Sequence, residues 1–154
     1  MQRIIEILTN KNKTIATMES CTGGALASAI TDIEGASEII KFSAVTYSNE
    51  YKIKMGVDPN VIDKYSVYSK ETAIEMAHNI SEFAGSNYGI GITGKLNRVD
   101  KNNPFGEDNK VFICIYDKDK LQDYLLEVLA TEKSRKDNKE LVMNEIIKKL
   151  LEIF

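Results

Sequence analysis

The stretch MESCTGG, residues 18–24, sets a serine and a cysteine between an apolar run and a pair of glycines. Ser20 there has two readings. As a helix cap it would satisfy an amide at the start of the small-residue helix that follows. As a nucleophile it would sit beside the unpaired N–H groups and positive dipole end of that helix, which favour developing negative charge. Gly23 and Gly24 would let backbone or ligand approach closely, as glycines do in anion-binding turns. Cys21 is a rival nucleophile, although no His or acidic partner is evident for it and a small buried Cys is the commoner role.

A serine nucleophile needs a base, and the one histidine, His78, lies in the middle of an amphipathic helical stretch. Glu75-x-x-His78 has the spacing of half a di-iron motif, but no second such pair follows, so no metal site is expected. Lysine is the alternative base, because a desolvated amine loses its proton readily. TYSNEYK, residues 46–52, supplies Tyr47 and Lys52 at a second strand end, with Lys52 about one turn into the next helix. On spacing alone a core tyrosine and a solvated lysine remain open there.

The elements that must position these groups can be read from periodicity. Ile4, Ile5 and Leu8 mark an opening helix, and residues 14–18 a buried strand entering MESCTGG. A helical face over 22–31 is followed by the β-rich EIIKFSAVTY, whose end at Ser48 and Asn49 suits a helix start. A short helix then stops at Gly56, and Asp58-Pro59 opens another turn or helix. A helix over 69–84 places Ala73, Ile74, Ala77, Ile80, Ser81 and Ala84 inward. YGIGIT, 88–93, reads as a strand ending at Gly94; irregular residues 94–109, a hairpin (KVFICIYD, then LQDYLLEVLA) and a final helix complete the chain.

Strands separated by helices indicate an α/β sheet covered on both faces, with the last hairpin adding an antiparallel strand. Ligands of such sheets bind beyond the carboxyl ends of the parallel strands, where Ser20, Tyr47-Ser48 and Thr93-Gly94 would share one rim. With 154 residues, 43% hydrophobic, 28% charged and no repeat or linker, one domain over 1–154 is expected. A net charge of −3 gives no basic excess for nucleic acid. Two cysteines make no disulfide framework and fit a reducing cytoplasm. No stretch reads as a signal peptide or membrane span.

Taken together, TIATMESCTGGALASAITDIEGAS, VTYSNEYKIKMGV, SKETAIEMA and GITG resemble the CinA C-terminal domain family, from about residue 3 to 150 with order and spacing kept. ESCTGG followed 27 residues later by YSNE-x-K is the specific part of the match. The resemblance implies a three-layer α/β/α sandwich around a mixed, mostly parallel sheet of about five strands. Enzymatic members hydrolyse the carboxamide of nicotinamide mononucleotide (NMN) to the acid and ammonia, without metal or other cofactor. Residue by residue, the resemblance implies Ser20 as nucleophile and Tyr47 and Lys52 as its proton-transfer partners. Cys21, Thr22, Gly23 and Gly24 would line the oxyanion side of the site. Ser48, Asn49, Thr93 and Gly94 would complete the substrate-binding rim. Longer relatives carry a further N-terminal domain, so the chain looks like a stand-alone form.

The match breaks after Gly94, where relatives continue with a glycine-rich run and this chain reads KLNRVDKNNPFGEDN. Either Lys95 and Arg98 bind a nucleotide phosphate by charge, or the loop is shaped for another ligand. Arg135 and Lys139 stand where relatives often carry two arginines, giving a basic edge at the rim or a contact in a homo-oligomer. The expected partner is a small-molecule nucleotide. The competing expectations are a nucleotide-binding or regulatory module without turnover, a hydrolase for another substrate, and a protein-interaction role.

Overall fold

In a computed structural model describing residues 1–97, 101 and 107–154, the expected elements form in the expected order. They are α1 (Gln2–Asn10), β1 (Ile15–Glu19), α2 (Ala25–Thr31), a 3₁₀ turn (Ala36–Glu38), β2 (Ile40–Val45), α3 (Asn49–Lys54) and α4 (Pro59–Tyr65). The second half holds α5 (Lys70–Ala84), β3 (Tyr88–Gly94), β4 (Lys110–Asp117), β5 (Gln122–Leu129) and α6 (Arg135–Ile153). Local chemistry sets several boundaries. Ser48, Asp58, Ser69 and Ser134 each cap a helix by accepting from a backbone amide two or three residues on. Pro59 fills the first turn of α4, and Gly56, at φ +100°, supplies the left-handed residue after α3.

The strands lie in the order β2-β1-β3-β4-β5. β1 pairs in parallel with β2 and β3, whereas β4 is antiparallel to both β3 and β5. β4 therefore runs against four strands that share one direction. The β4–β5 reversal is the expected hairpin.

Alternation along the strands divides the core into two layers. Ile15, Ile90, Ile92, Ile113 and Ile115 face one way and pack with Ile4 and Leu8 of α1, Leu26 and Ile30 of α2, and Val142 and Ile146 of α6. On the opposite face Ala16 and Met18 pack with Met76 and Ile80 of α5, and Ala73 and Ala77 lie beside Cys114. The result is the three-layer α/β/α arrangement. The inward face of α5 differs in detail from the periodicity reading: Thr72 and Met76 are fully buried, while Ile74 is half-buried.

Gly89 and Gly91 of β3 explain how α5 comes so close. A Cβ on Gly91 would lie 2.2 Å from the backbone oxygen of Ala73, and one on Gly89 2.0 Å from that of Ala77. The obstructing atoms belong to helix backbone and cannot swing aside. Gly91→Ala is therefore expected to destabilise the protein by about 3 kcal/mol or more, the upper end for overpacking. The urea unfolding midpoint measures this, and an unchanged midpoint would refute the close approach.

Candidate active site

The C-terminal end of β1 carries a buried carboxylate, and the turn after it is built around that group. Glu19 accepts from the Thr22 hydroxyl at 2.7 Å and from the amides of Gly24, Leu26 and Ala27 at 3.1, 3.2 and 2.9 Å. It thereby takes the orphan donors at the start of α2, whose N-cap residue Gly24 makes no side-chain cap. This corrects the reading of Ser20 as a cap. The Ser20 amide donates to Ile92 O at 3.0 Å, so the residue is anchored across β1 and β3 by its backbone and its hydroxyl is left for other work.

That hydroxyl meets Lys52. The Lys52 Nζ donates to Ser20 Oγ at 3.0 Å and to the Thr46 carbonyl at 2.7 Å. Lys52 is 1% exposed, and no carboxylate forms an ion pair with it among the described residues. Burial without a counter-charge disfavours the ammonium form and pulls the amine down from 10.5 to about 8. A lysine that titrates there, within hydrogen-bond distance of a serine oxygen, is equipped to take that serine's proton.

Oxyanion donors are also available, from part of the expected set Cys21, Thr22, Gly23 and Gly24, since the Gly24 amide is taken by Glu19. The Gly23 amide already donates to Ser20 O at 3.0 Å. Of the amides beside Ser20, that of Thr22 donates to no acceptor among the described residues, and that of Cys21 is directed at its own thiol, a weak acceptor. Gly23 and Gly24, at φ +64° and +90°, bend the turn so that Glu19 can collect the amides beyond it. The Cys21 thiol is buried, and desolvation pushes it up to about 12 against the opposing charges of Arg135 and Lys52. Burial of this kind disfavours the thiolate and argues against Cys21 as the rival nucleophile.

Tyr47 takes a different place from the one expected. Its ring is 64% exposed, and its hydroxyl accepts from Arg135 Nη2 at 2.9 Å; no hydrogen bond joins it to Ser20 or Lys52. Tyr47 as a proton-transfer partner of Ser20 is thus not what the geometry presents, because the lysine's hydrogen bonds go to Ser20 and Thr46. Ser48 serves as the α3 cap, and Asn49 begins that helix. The Thr93 hydroxyl is spent on Val67 O at 2.8 Å, and Gly94 lets the chain pass the β4 backbone, where a Cβ would lie 2.5 Å from Lys110 O.

The cations at the rim are redistributed. Lys95 is buried, donates to Asp108 at 3.0 Å and lies over the Tyr68 ring, so it fastens the base of its own loop instead of projecting toward a ligand. Arg98 lies outside the described residues. Two cations of α6 come to the nucleophile's turn instead. Arg135 also donates to Leu96 O at 3.5 Å, and Lys139 Nζ would be 3.3 Å from a Cβ on Gly23. His78 is remote from these groups in its bonding: it pairs with Asp123 at 2.7 Å and stacks on Tyr116. Among the described residues no cluster of three or more His, Cys, Asp or Glu side chains is arranged to hold a metal. Nor is any described helix long and apolar enough to cross a membrane.

Sequence reasoning missed Glu19 and Thr46 as parts of the site. A charged residue in the otherwise apolar strand IATME was the available signal for the first; nothing in the sequence marked the second.

Comparison with known proteins places these features in a family. The model of the CinA C-terminal domain matches residues 1–154. A competence-damage inducible protein of Clostridium botulinum is 47% identical over 92 residues, covering 59% of this chain and 22% of that protein. One from Caldanaerobacter subterraneus matches to the same extent. The chain thus spans about a fifth of the length of these relatives. The crystal structure of a CinA superfamily protein from Escherichia coli superposes with a TM-score of 0.87 at 26% identity, over 99% of this chain and 87% of that one. A competence/damage inducible protein from Agrobacterium tumefaciens gives 0.85 at 26% identity, over 97% and 92%. Family model, relatives and fold agree: the chain belongs to the CinA C-terminal domain family.

Proposed function

We propose that this chain is an amidohydrolase that cleaves the carboxamide of NMN or a related pyridine nucleotide to the acid and ammonia, with Ser20 as nucleophile and Lys52 as its base. The observation that carries the reading is the buried, counter-ion-free Lys52 amine 3.0 Å from Ser20 Oγ. Solvating so large a polar side chain so poorly is costly, and a proton-transfer role at neutral pH is what the arrangement suits.

In this mechanism neutral Lys52 takes the Ser20 proton as Oγ attacks the amide carbon. The developing oxyanion is received by the Cys21 and Thr22 amides. The lysine then protonates the departing nitrogen, leaving an ester on Ser20 that water resolves. Arg135 and Lys139 supply positive charge for the substrate's phosphate beside the Gly23-Gly24 turn. Tyr47, through its bond to Arg135, orients that guanidinium in place of relaying protons.

Ammonia release from NMN by the purified protein tests the reading. Ser20→Ala and Lys52→Met are each expected to lower turnover at least about a thousandfold, as losses of nucleophile and base do. Equal turnover by the variants and the parent, or none by any of them, would sink it. The pH profile carries a second signature. Because only neutral Lys52 accepts a proton, kcat/KM is expected to rise about tenfold per pH unit below 8 and level off above it. A flat profile between pH 6 and 9 would exclude Lys52 as the base.

Stability gives a test independent of any substrate. The unfolded chain binds the Lys52 proton more tightly than the folded one, so this group costs about 3 kcal/mol at pH 7, and the cost fades as pH rises from 8 toward 10.5. Relative to Lys52→Met, the parent protein should gain about 2 kcal/mol between pH 7 and 9.5 in urea unfolding, from the same linkage. A pH-independent difference would show that the amine is not desolvated in the fold.

A further inference from the structure

Thr46 has a hydroxyl that the fold leaves unused. The residue is 2% exposed, and its Oγ1 has no hydrogen-bond partner among the described residues. Its backbone, by contrast, is fully engaged. The amide donates to Glu19 O at 2.8 Å, prolonging the β1–β2 ladder by one step, and the carbonyl accepts from Lys52 Nζ at 2.7 Å.

Strand alternation gives the direction of this side chain. Val45, opposite Glu19 in the ladder, has a methyl 3.4 Å from where a Cβ on Gly24 would lie, on the α2 face. Thr46 is the next residue and so turns to the other face, as Ser20 does after Glu19. The hydroxyl is thus on the face that Ser20 takes, on the same residue whose carbonyl holds the Lys52 amine. A threonine hydroxyl can donate once and accept twice, and buried polar groups of this kind are partnered in folded proteins. A water held there would have Thr46 Oγ1 and Lys52 Nζ as its polar partners, and polar partners of this kind are what hold a buried water.

We propose that Thr46 Oγ1 and the Lys52 amine hold the water that resolves the Ser20 ester. The inference rests on Ser20 being acylated, as the function proposed above requires. In this step the water oxygen bonds to the ester carbonyl carbon while one of its protons passes to neutral Lys52. The tetrahedral intermediate then breaks its bond to Ser20 Oγ, which takes that proton back from the lysine, and the free acid leaves. Thr46 contributes orientation: its hydroxyl accepts from or donates to the water, and its carbonyl holds the amine at the same point.

The test separates acylation from deacylation with p-nitrophenyl acetate as a general acyl donor, corrected by Ser20→Ala for reaction elsewhere on the chain. Thr46→Val keeps shape and backbone and removes the hydroxyl. The expected result is a p-nitrophenolate burst within twofold of the parent, a steady-state rate at least tenfold lower, and an acetyl group accumulating on Ser20 by peptide mass spectrometry. Thr46→Ser restores the steady state. A variant with unchanged steady-state turnover overturns the inference. So does one whose burst falls in parallel, since the hydroxyl would then act on Lys52 and not on water. Should Thr46→Val not fold, Thr46→Ala compared with Thr46→Ser makes the same contrast. A parent protein without a burst overturns the inference together with the Ser20 nucleophile, whereas a burst in a protein inert to NMN removes the proposed substrate alone.

Discussion

The Glu19 carboxylate is the interaction on which the site's architecture depends. A buried charge is tolerated only when its lone pairs are filled, and Glu19 fills them with a hydroxyl and three amides from one short turn. Collecting those donors forces the chain to double back after Ser20, which is why Gly23 and Gly24 adopt left-handed conformations there. Two consequences follow. α2 begins without a cap of its own, and the amides nearest Ser20, those of Cys21 and Thr22, are the ones the carboxylate does not consume. The nucleophile's surroundings are thus what remains after a strand-end acid has satisfied itself.

Lys52 depends on that frame from the other side. Its amine reaches Ser20 Oγ because Thr46 pairs with Glu19 O across the β1–β2 ladder, and Ser48 then caps α3 so that its first turn carries the lysine inward. The α3 helix of six residues, NEYKIK, has no apolar stripe that would bury anything by itself. The burial is supplied by tertiary structure. Glu19 has donors on both oxygens, two hydroxyls and three amides, whereas Lys52 has one carbonyl and one hydroxyl. This asymmetry leaves the carboxylate structural and the amine titratable near neutrality.

The order of elements along the chain, the hairpin and the starts of α3 and α4 were legible in the sequence because each has a local cause: a serine before a helix, a proline in a first turn, alternation along a strand; the order of strands in the sheet was not, because it is set by which strands meet in space. Ser20 and Lys52 were legible as types at strand ends, and the resemblance to a family fixed their pairing. What escaped was set by distance. Tyr47 and Arg135 are 88 residues apart, and nothing in either neighbourhood announces their hydrogen bond. Lys95 read as an exposed loop cation, yet it is buried under the charge of Asp108 and the ring of Tyr68, which only the fold brings together. The cap assignment of Ser20 failed for the opposite reason: a local rule was available, but a neighbouring side chain with two oxygens outcompeted it.

These displacements alter how charge is arranged around the nucleophile. The loop after Gly94 is rich in lysine and arginine by sequence, but the lysine nearest the rim is neutralised by its own loop's aspartate. Positive charge at the Ser20 turn comes from α6, through Arg135 and Lys139, and from Lys52 beneath it. The two sources act differently. A cation on the rim can attract and orient an anion at little cost, because water solvates it until the anion arrives. A cation in the interior cannot, so Lys52 is favoured to lose its proton, and the same desolvation that makes it a poor anchor for an anion makes it a good base. Binding charge and catalytic charge are in this way separated by depth, within one rim and on residues of the same nominal type.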